Sequence, residues 1–315
     1  INAVMTGSSN ASLALNYGQG SVASGNTSVM QTKLGPSDAY IGKITLPAST
    51  SNFTTKQGSD GTVKNYTVLT SLPASLVAST NYAVGADIIY TGTGRVPYLA
   101  TGNYTGTFDG LGNTISNLIV TPQSGNNAFI GIITTGTVQN LGLKNISISG
   151  ANTSNSSGAI AGALNGAGAI RNSFATGSIT GGSYIGGLVG YMGGGSITSS
   201  YSSVNVYSTS TSLSYAGGLV GYLWGGVTIS YSYTTGIVSA QGPGAGGLIG
   251  RINTNSPFTI SDSYATGNVT GATQVGGLIG LVSLTSQSSS ITRTYSSGQV
   301  TGTNAGAATA GMVGS

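Results

Sequence analysis

Hydrophobic and polar residues recur in a fixed order through the second half of the chain. Each repeat opens on an isoleucine, carries a small hydroxyl residue and then an aromatic residue three and four positions later, and has a β-branched residue nine positions after the isoleucine. The isoleucines are Ile170, Ile197, Ile229, Ile260 and Ile291, and the aromatic residues are Phe174, Tyr201, Tyr233, Tyr264 and Tyr295. After a variable gap comes Gly-Gly-Leu-Val/Ile-Gly, at residues 186–190, 217–221, 246–250 and 276–280. A period of about 30 residues indicates an array of stacked units.

The local chemistry of the repeats predicts β-strands rather than helices. A glycine inside a helix costs about 1 kcal/mol relative to alanine, and every unit contains several glycines. The apolar positions are short, β-branched or aromatic and are separated by Gly, Asn and Ser, which indicates roughly three short strands per unit. One unit cannot bury its apolar face alone, but a stack can. We therefore predict an all-β parallel β-helix (β-solenoid) with about 25–32 residues per coil, in which the isoleucines, the aromatic residues and the small hydroxyl residues form three ladders.

The composition excludes several classes of function. The chain has no His and no Cys, only five acidic residues, which are all Asp, and only 4% charged residues, against about 25% in an ordinary soluble domain. The nine cationic residues are scattered along the chain. Because a nucleic-acid site needs clustered Lys and Arg, we predict no nucleic-acid binding. No apolar run approaches the ~18 residues of a membrane span. We expect no metal and no cofactor. The lack of cysteine fits a chain that crosses a membrane unfolded.

Two carboxylates are the best candidates for catalysis. Asp87 and Asp109 fall in consecutive predicted coils, where a pair of acids on a glycan groove would resemble the arrangement of glycosidases. The structural interpretation is that both are turn or cap residues, a role for which aspartate is favoured. Asp262 is equivalent in the repeats to Asn172, Ser199, Tyr231 and Arg293, which predicts a tolerant outward or corner position. We favour the structural interpretation and predict no catalytic residue.

Aromatic residues are the candidates for ligand contact. The ladder from Phe174 to Tyr295 could stack against sugars, although its place beside the hydroxyl ladder favours a structural stack. Trp224 breaks the pattern, because the equivalent positions of the other repeats are not aromatic. Trp224 is therefore either a surface contact residue or a half-buried packing residue. The loops at 207–215 and 283–290 are further candidates, since binding residues concentrate on loops held by a rigid scaffold.

The repeats resemble a known family. Gly-Gly-Leu-Val-Gly together with Ile-x-x-Ser-Tyr is similar to the GLUG repeat of bacterial filamentous-haemagglutinin-like adhesins, and residues 104–118 resemble the segment that precedes those repeats. Residues 56–63 and 81–88 are also similar to that family. The resemblance implies a right-handed β-helix within a very large exoprotein. It also implies export by a dedicated outer-membrane partner (two-partner secretion) and a place on the Gram-negative cell surface.

We divide the chain into three parts on this basis. Residues 1–66 are predicted to form N-terminal solenoid coils, residues 67–121 linking coils around Phe108-Asp109-Gly110, and residues 122–315 a GLUG-type solenoid that continues beyond the chain end. Residues 311–314 form a bare core strand without a polar cap, so we expect an interior stretch of a shaft.

The predicted function is that of a structural shaft segment of a secreted adhesin, which acts in attachment, biofilm formation or aggregation and is not an enzyme. Its expected partners are host-cell or surface glycans and receptors, or other copies of itself. The alternatives are a self-polymerising fibre subunit that stacks end to end through exposed strand edges and, behind it, a polysaccharide-active β-helix.

Overall fold

The computed structural model describes residues 12–17, 43–46, 52–57, 63–92, 102–121, 125–149, 156–212, 214–284 and 288–314. Within these ranges every regular element is a β-strand and there is no helix. The strands form four sheets that run along one parallel solenoid of about six complete turns. The predicted fold class is confirmed, while the right hand of the solenoid stays a prediction.

The isoleucine sheet carries the repeat isoleucines. Its eleven strands are Ser12–Tyr17, Asn52–Gln57, Lys64–Leu69, Tyr82–Val84, Thr107–Asp109, Thr137–Gln139, Ala169–Arg171, Gly195–Thr198, Val227–Ser230, Thr259–Ser261 and Ser290–Thr292. Within the described residues, Asn52–Gln57 and Lys64–Leu69 pair antiparallel, and every other assigned pair of strands is parallel.

The tyrosine sheet follows the isoleucine sheet in each coil and carries the aromatic ladder. Its twelve strands are Ile88–Ile89, Thr114–Ser116, Ile119–Val120, Gly142–Ile148, Phe174–Gly181, Tyr201–Ser208, Tyr233–Thr234, Val238–Ala240, Tyr264–Ala265, Val269–Gly271, Tyr295–Ser296 and Val300–Gly302. In several coils this side of the solenoid therefore consists of two short strands in line.

Two six-stranded sheets close each coil. The glycine sheet contains Ser156–Gly158, Tyr184–Gly186, Tyr215–Gly217, Ala245–Gly246, Gln274–Gly276 and Ala308–Ala310. The valine sheet contains Ile130–Ile133, Ala161–Leu164, Val189–Met192, Val220–Leu223, Ile249–Thr254 and Ile279–Leu284. A complete coil thus has four sides rather than the three strands that the sequence predicted. The extra corner lies inside Gly-Gly-Leu-Val-Gly, where no polar turn residue marks it.

Close backbone packing explains the paired glycines at this corner. A Cβ on Gly217 would overlap the carbonyl oxygen of Val220, three residues further along the same turn. A Cβ on Gly218 would overlap the carbonyl oxygen of Gly247, its equivalent in the next coil. The same two overlaps arise at Gly186 and Gly187, so neither position of the pair has room for a side chain.

One hydrophobic core runs along the axis. Buried residues from Leu69 to Ile279 form a single connected cluster, and a smaller cluster of Leu46, Phe53, Tyr66, Ala83 and Leu111 lies beside its first coils. The large cluster contains both Val120 and Phe129, which lie on either side of the predicted boundary at 121. The domain boundaries at 66 and 121 stay predictions. Each coil buries its apolar side chains only by contact with its neighbours, as expected of a solenoid.

Candidate functional site

The structure places the five repeat isoleucines in one column of the isoleucine sheet. Ile170 pairs with Ile197, Ile197 with Ile229, Ile229 with Ile260 and Ile260 with Ile291. The first four are fully buried, whereas Ile291 in the last described coil is 38% exposed.

The repeat aromatic residues form a continuous stack on the tyrosine sheet. Phe174, Tyr201, Tyr233, Tyr264 and Tyr295 follow one another with ring centroids 4.8–4.9 Å apart and planes within 4–7° of parallel. This separation is the distance between paired strands, so register alone places each ring on the next. A stack filled by its own rings presents their edges, not their faces, to a ligand.

A ladder of buried serines joins the isoleucine and tyrosine sheets. The backbone N–H of Ser173 donates to Oγ of Ser200, that of Ser200 to Oγ of Ser232, and that of Ser232 to Oγ of Ser263, at 3.2–3.3 Å. Each of these hydroxyls donates in turn to the carbonyl oxygen two residues earlier in its own coil. The preceding residues, Asn172, Ser199, Tyr231, Asp262 and Arg293, have φ between 45° and 51°. The hydroxyls therefore replace the sheet hydrogen bonds that the left-handed corner interrupts.

Asp87 and Asp109 hold separate turns. The Asp87 carboxylate pairs with Lys43 at 2.5 Å and accepts a hydrogen bond from the Thr114 N–H at 2.8 Å. Asp109 is buried and accepts hydrogen bonds from the Leu111 N–H, Gln139 Nε2 and Asn140 Nδ2.

Electrostatics separates these two carboxyls further. Burial raises the pKa of Asp109 above its ordinary value, although its hydrogen bonds oppose the change. Burial also acts to raise the pKa of Asp87, but hydrogen bonds from Lys43 and Thr114 outweigh it and the pKa is lowered. Each carboxyl thus has a set of structural partners of its own.

The third described aspartate, Asp262, lies at the left-handed corner. Its carboxylate receives two hydrogen bonds from the Arg293 guanidinium of the next coil, at 2.5 and 2.7 Å. Both groups are at the surface, so the pair adds little to stability. In the described ranges no three acidic or other metal-ligating side chains come together.

A second group of aromatic side chains, apart from the ring stack, spans the glycine and valine sheets. Tyr184 and Tyr215 stack with centroids 5.8 Å apart, and Tyr222 stacks on both, at 4.8 and 5.4 Å. Tyr191 packs against Tyr222 at 5.8 Å. The guanidinium of Arg251 lies 4.8 Å from the centre of the Tyr215 ring and donates to the Tyr215 hydroxyl. We call these four tyrosines and Arg251 the tyrosine–arginine cluster.

Trp224 extends this cluster to the surface. Its ring is 6.0 Å from that of Tyr222 and its side chain is 51% exposed. A groove of about 300 Å³ opens beside it, lined by Gly193, Trp224, Gly225, Gly226 and residues 253–256. The structure thus joins the two sequence interpretations of Trp224: the residue packs on one side and is open to solvent on the other.

The sequence contained a signal for this cluster. Tyr-x-Gly-Gly-Leu-Val-Gly-Tyr occurs at 184–191 and again at 215–222, and Arg251 takes the second tyrosine's place in the next coil. The glycines are the recognisable part of this motif, and the flanking tyrosines give no separate sign of a cluster. The first predicted loop, 207–215, contributes Tyr215 to this cluster. Its other described residues, 207–212 and 214, and residues 283 and 288–290 of the second loop add no comparable cluster; residues 213 and 285–287 lie outside the described residues.

Comparison with known proteins agrees with this architecture. The model of the GLUG motif matches residues 181–207 and 241–270. The chain thus contains two matches to the GLUG motif within a parallel β-solenoid, and that part of the predicted resemblance is confirmed. The relationship to filamentous haemagglutinin and the export by two-partner secretion stay predictions.

Two individual proteins are similar to parts of the chain. Halomucin from Haloquadratum walsbyi is 47% identical over 91 residues, which are 28% of this chain and 1% of halomucin. The crystal structure of a candidate immunoglobulin A1 protease from Bacteroides ovatus superimposes with a TM-score of 0.60 at 23% identity, over 78% of this chain and 84% of that one. At this identity the second likeness establishes a shared fold alone. No helix long and apolar enough to cross a membrane occurs in the described part of the chain.

Proposed function

We propose that this chain is a length of stiff shaft in an exported cell-surface adhesin. The observation that carries the proposal is the unbroken register of the isoleucine sheet, in which seven consecutive coils from Thr107–Asp109 to Ser290–Thr292 pair in parallel. A stack held on every side by backbone hydrogen bonds resists bending, and it lengthens by simple repetition.

The side-chain ladders support a mechanical role. Buried isoleucines, stacked rings and the serine hydrogen bonds all connect one coil to the next, so they resist separation of the coils along the axis. Ion pairs between coils are few in the described residues, which makes the stack insensitive to salt. None of these contacts requires a ligand or a cofactor.

The remaining parts of the proposal concern location and partners. A chain without cysteine and with few charges suits passage through a membrane and display outside the cell, on a Gram-negative surface after export by an outer-membrane partner. Its expected partners are surface glycans and receptors, or other copies of itself. We propose no enzymatic activity, because Asp87, Asp109 and Asp262 each have a structural partner.

Whole-coil deletion in the native protein tests the shaft directly. Removal of residues 260–290 would join Thr259 to Ile291; Thr259 pairs with Ser290 and Ile260 with Ile291, so the register is kept and the solenoid is one coil shorter. Removal of residues 260–275 instead joins Thr259 to a residue of the glycine sheet and breaks the register. Both deletions leave the tyrosine–arginine cluster in place.

The shaft proposal predicts that cells with the whole-coil deletion display the protein and still attach, whereas the part-coil deletion loses surface protein and attachment together. Attachment is counted on the surface that the native cells colonise, and surface protein is measured by immunoblot. Loss of attachment at normal surface level after the whole-coil deletion would contradict a purely mechanical role of that coil. A sedimentation coefficient of the purified chain that increases with protein concentration would instead favour the end-to-end fibre.

A further inference from the structure

The tryptophan of this chain stands in a column of residues that the fold leaves small or polar. Leu223 pairs with Met192 in the preceding coil and with Ile252 in the following coil, so Trp224 lies between Gly193 and Asn253. The same column contains Asn165 and Ser283 further out. Because the solenoid accepts Gly, Asn and Ser here, packing does not require a tryptophan.

The neighbours of Trp224 leave its ring accessible. Gly193 has no side chain with which to cover the indole, and Gly225 and Gly226 continue the chain beyond it without side chains. The resulting groove, of about 300 Å³, is at the lower end of the size range of small-molecule sites. An exposed tryptophan beside a pocket is typical of a contact residue, since it offers a large apolar area at a low entropic cost.

The groove is neutral and rich in hydrogen-bonding groups. Among its lining residues are the amides of Asn253 and Asn255 and the hydroxyl of Ser256, and none of the lining residues is charged. Thr254 is buried, and its hydroxyl bonds to the backbone of Ser256. A ligand that fits must offer one apolar face and a rim of uncharged donors and acceptors. A pyranose ring has this character, with C–H groups on its face and hydroxyl groups around its edge. A nucleotide or an acidic sugar would find no cation in the lining to match its charge.

The tyrosine–arginine cluster holds the tryptophan in place. Tyr222, which packs against Trp224, is buried and receives a hydrogen bond at 3.0 Å from Asn253 Nδ2 to its hydroxyl. Tyr222 is also stacked on Tyr184 and Tyr215. Asn253 therefore links the aromatic side of the groove to its polar side. A binding surface supported in this way loses little freedom when a ligand binds.

We infer that the groove beside Trp224 binds a neutral saccharide, with the indole against a sugar face and Asn253, Asn255 and Ser256 against its hydroxyl groups. This inference rests on the part of the proposed function that expects surface glycans as partners, and it gives such a partner a site that the shaft itself does not need. It makes one coil of the shaft a lectin-like contact point. The shaft could stand without the saccharide site, and the site could exist on a fibre or in an enzyme, so the two proposals fail independently.

A fluorescence titration tests the inference, because Trp224 is the single tryptophan in 315 residues. Purified chain is titrated with three neutral oligosaccharides, maltoheptaose, cellohexaose and hexa-N-acetylchitohexaose, and with heparin and polygalacturonate as charged probes. We expect a saturable change of tryptophan emission with at least one neutral probe. Silence with all three neutral probes, or saturable binding of the charged probes alone, would overturn the inference.

Two variants assign the binding to the groove. Trp224→Asn copies the residue of the adjoining coil, and Tyr231→Ser removes an exposed aromatic from the left-handed corner, where the equivalent residue of the preceding coil is Ser199. By calorimetric titration with the bound sugar, Trp224→Asn should weaken binding at least about tenfold and Tyr231→Ser should leave it unchanged. Equal affinities of the wild type and Trp224→Asn, with circular dichroism unchanged, would place the binding elsewhere and refute the site.

Discussion

At the scale of single residues, buried hydrogen bonds determine which positions of the repeat keep the same type of side chain. Ser173, Ser200, Ser232 and Ser263 are buried, and each hydroxyl both accepts from one backbone N–H and donates to a carbonyl. The residues just before them are in the opposite situation: they lie at a partly or fully exposed corner with positive φ, where Asn, Ser, Tyr and Asp all occur. Adjacent positions thus differ sharply in what they tolerate.

Replacement of Ser232 by alanine should destabilise the chain by about 1–3 kcal/mol, because the N–H of Ser200 would be buried without an acceptor. Urea unfolding followed by circular dichroism measures the loss. Ser239→Ala is the matched control, since its side chain is on the partly exposed face of the same coil and should cost little. Equal losses in the two variants would mean that the serine ladder has no special part in stability.

Asp109 should give the chain an unusual dependence on pH. Burial raises its folded-state pKa above the unfolded value of about 3.9, so its favourable contribution is complete below that value and is lost as pH rises through the raised pKa. Urea midpoints of the wild type relative to Asp109→Asn should therefore fall as pH rises from about 4. The absence of Glu and His keeps other side chains from masking the effect near neutral pH.

Asp87→Asn serves as the control of opposite sign. Although burial acts to raise it, the folded-state pKa of Asp87 is lowered by hydrogen bonds from Lys43 and Thr114, so its contribution is present above about pH 3.9 and is lost on acidification. The midpoint of the wild type relative to Asp87→Asn should fall below that pH. Parallel profiles of the two variants would contradict the assigned environments.

At the scale of strands, the burial of equivalent positions depends on the coils that lie above and below them. Ile229 has a coil on both sides and is fully buried, whereas Ile291 pairs with Ile260 and is 38% exposed. The same holds for the ring stack, in which Tyr201 is buried and Tyr295 is 52% exposed. Stability should therefore be distributed along the axis according to the neighbours of each coil.

Ile229→Ala should cost about 2–5 kcal/mol through the lost burial and the cavity that remains. In the isolated 315-residue chain, Ile291→Ala makes the same chemical change in the same column and should cost clearly less, because part of its side chain is already in water. The comparison is made by urea unfolding of both variants. A loss at Ile291 as large as that at Ile229 would show that column position, rather than burial, determines the cost.

At the scale of the whole molecule, repetition made the fold predictable. The recurring isoleucine, serine and aromatic residues predict stacked parallel strands, because like residues can lie on like only if the coils are in register. The division of Gly-Gly-Leu-Val-Gly into two strands was not predictable in the same way, since its corner depends on close backbone contact at Gly217 and Gly218 rather than on a polar turn.

The candidate site was only partly predictable. Trp224 stood out because it departs from its own repeat, and it lines the groove. Tyr184, Tyr191 and Tyr215 were part of the regular pattern and did not stand out. Their contact depends on side chains from two sheets and two adjacent coils, and the spacing along the chain does not reveal the corner that brings them together.

The central claim is that this solenoid is one length of shaft within a larger surface protein. The most direct test is the mass of the intact polypeptide isolated from its native surface, determined by denaturing gel and mass spectrometry. We predict a mass far above the 30.9 kDa of these 315 residues. A mass near 30.9 kDa would contradict the claim and would favour a complete subunit that assembles end to end.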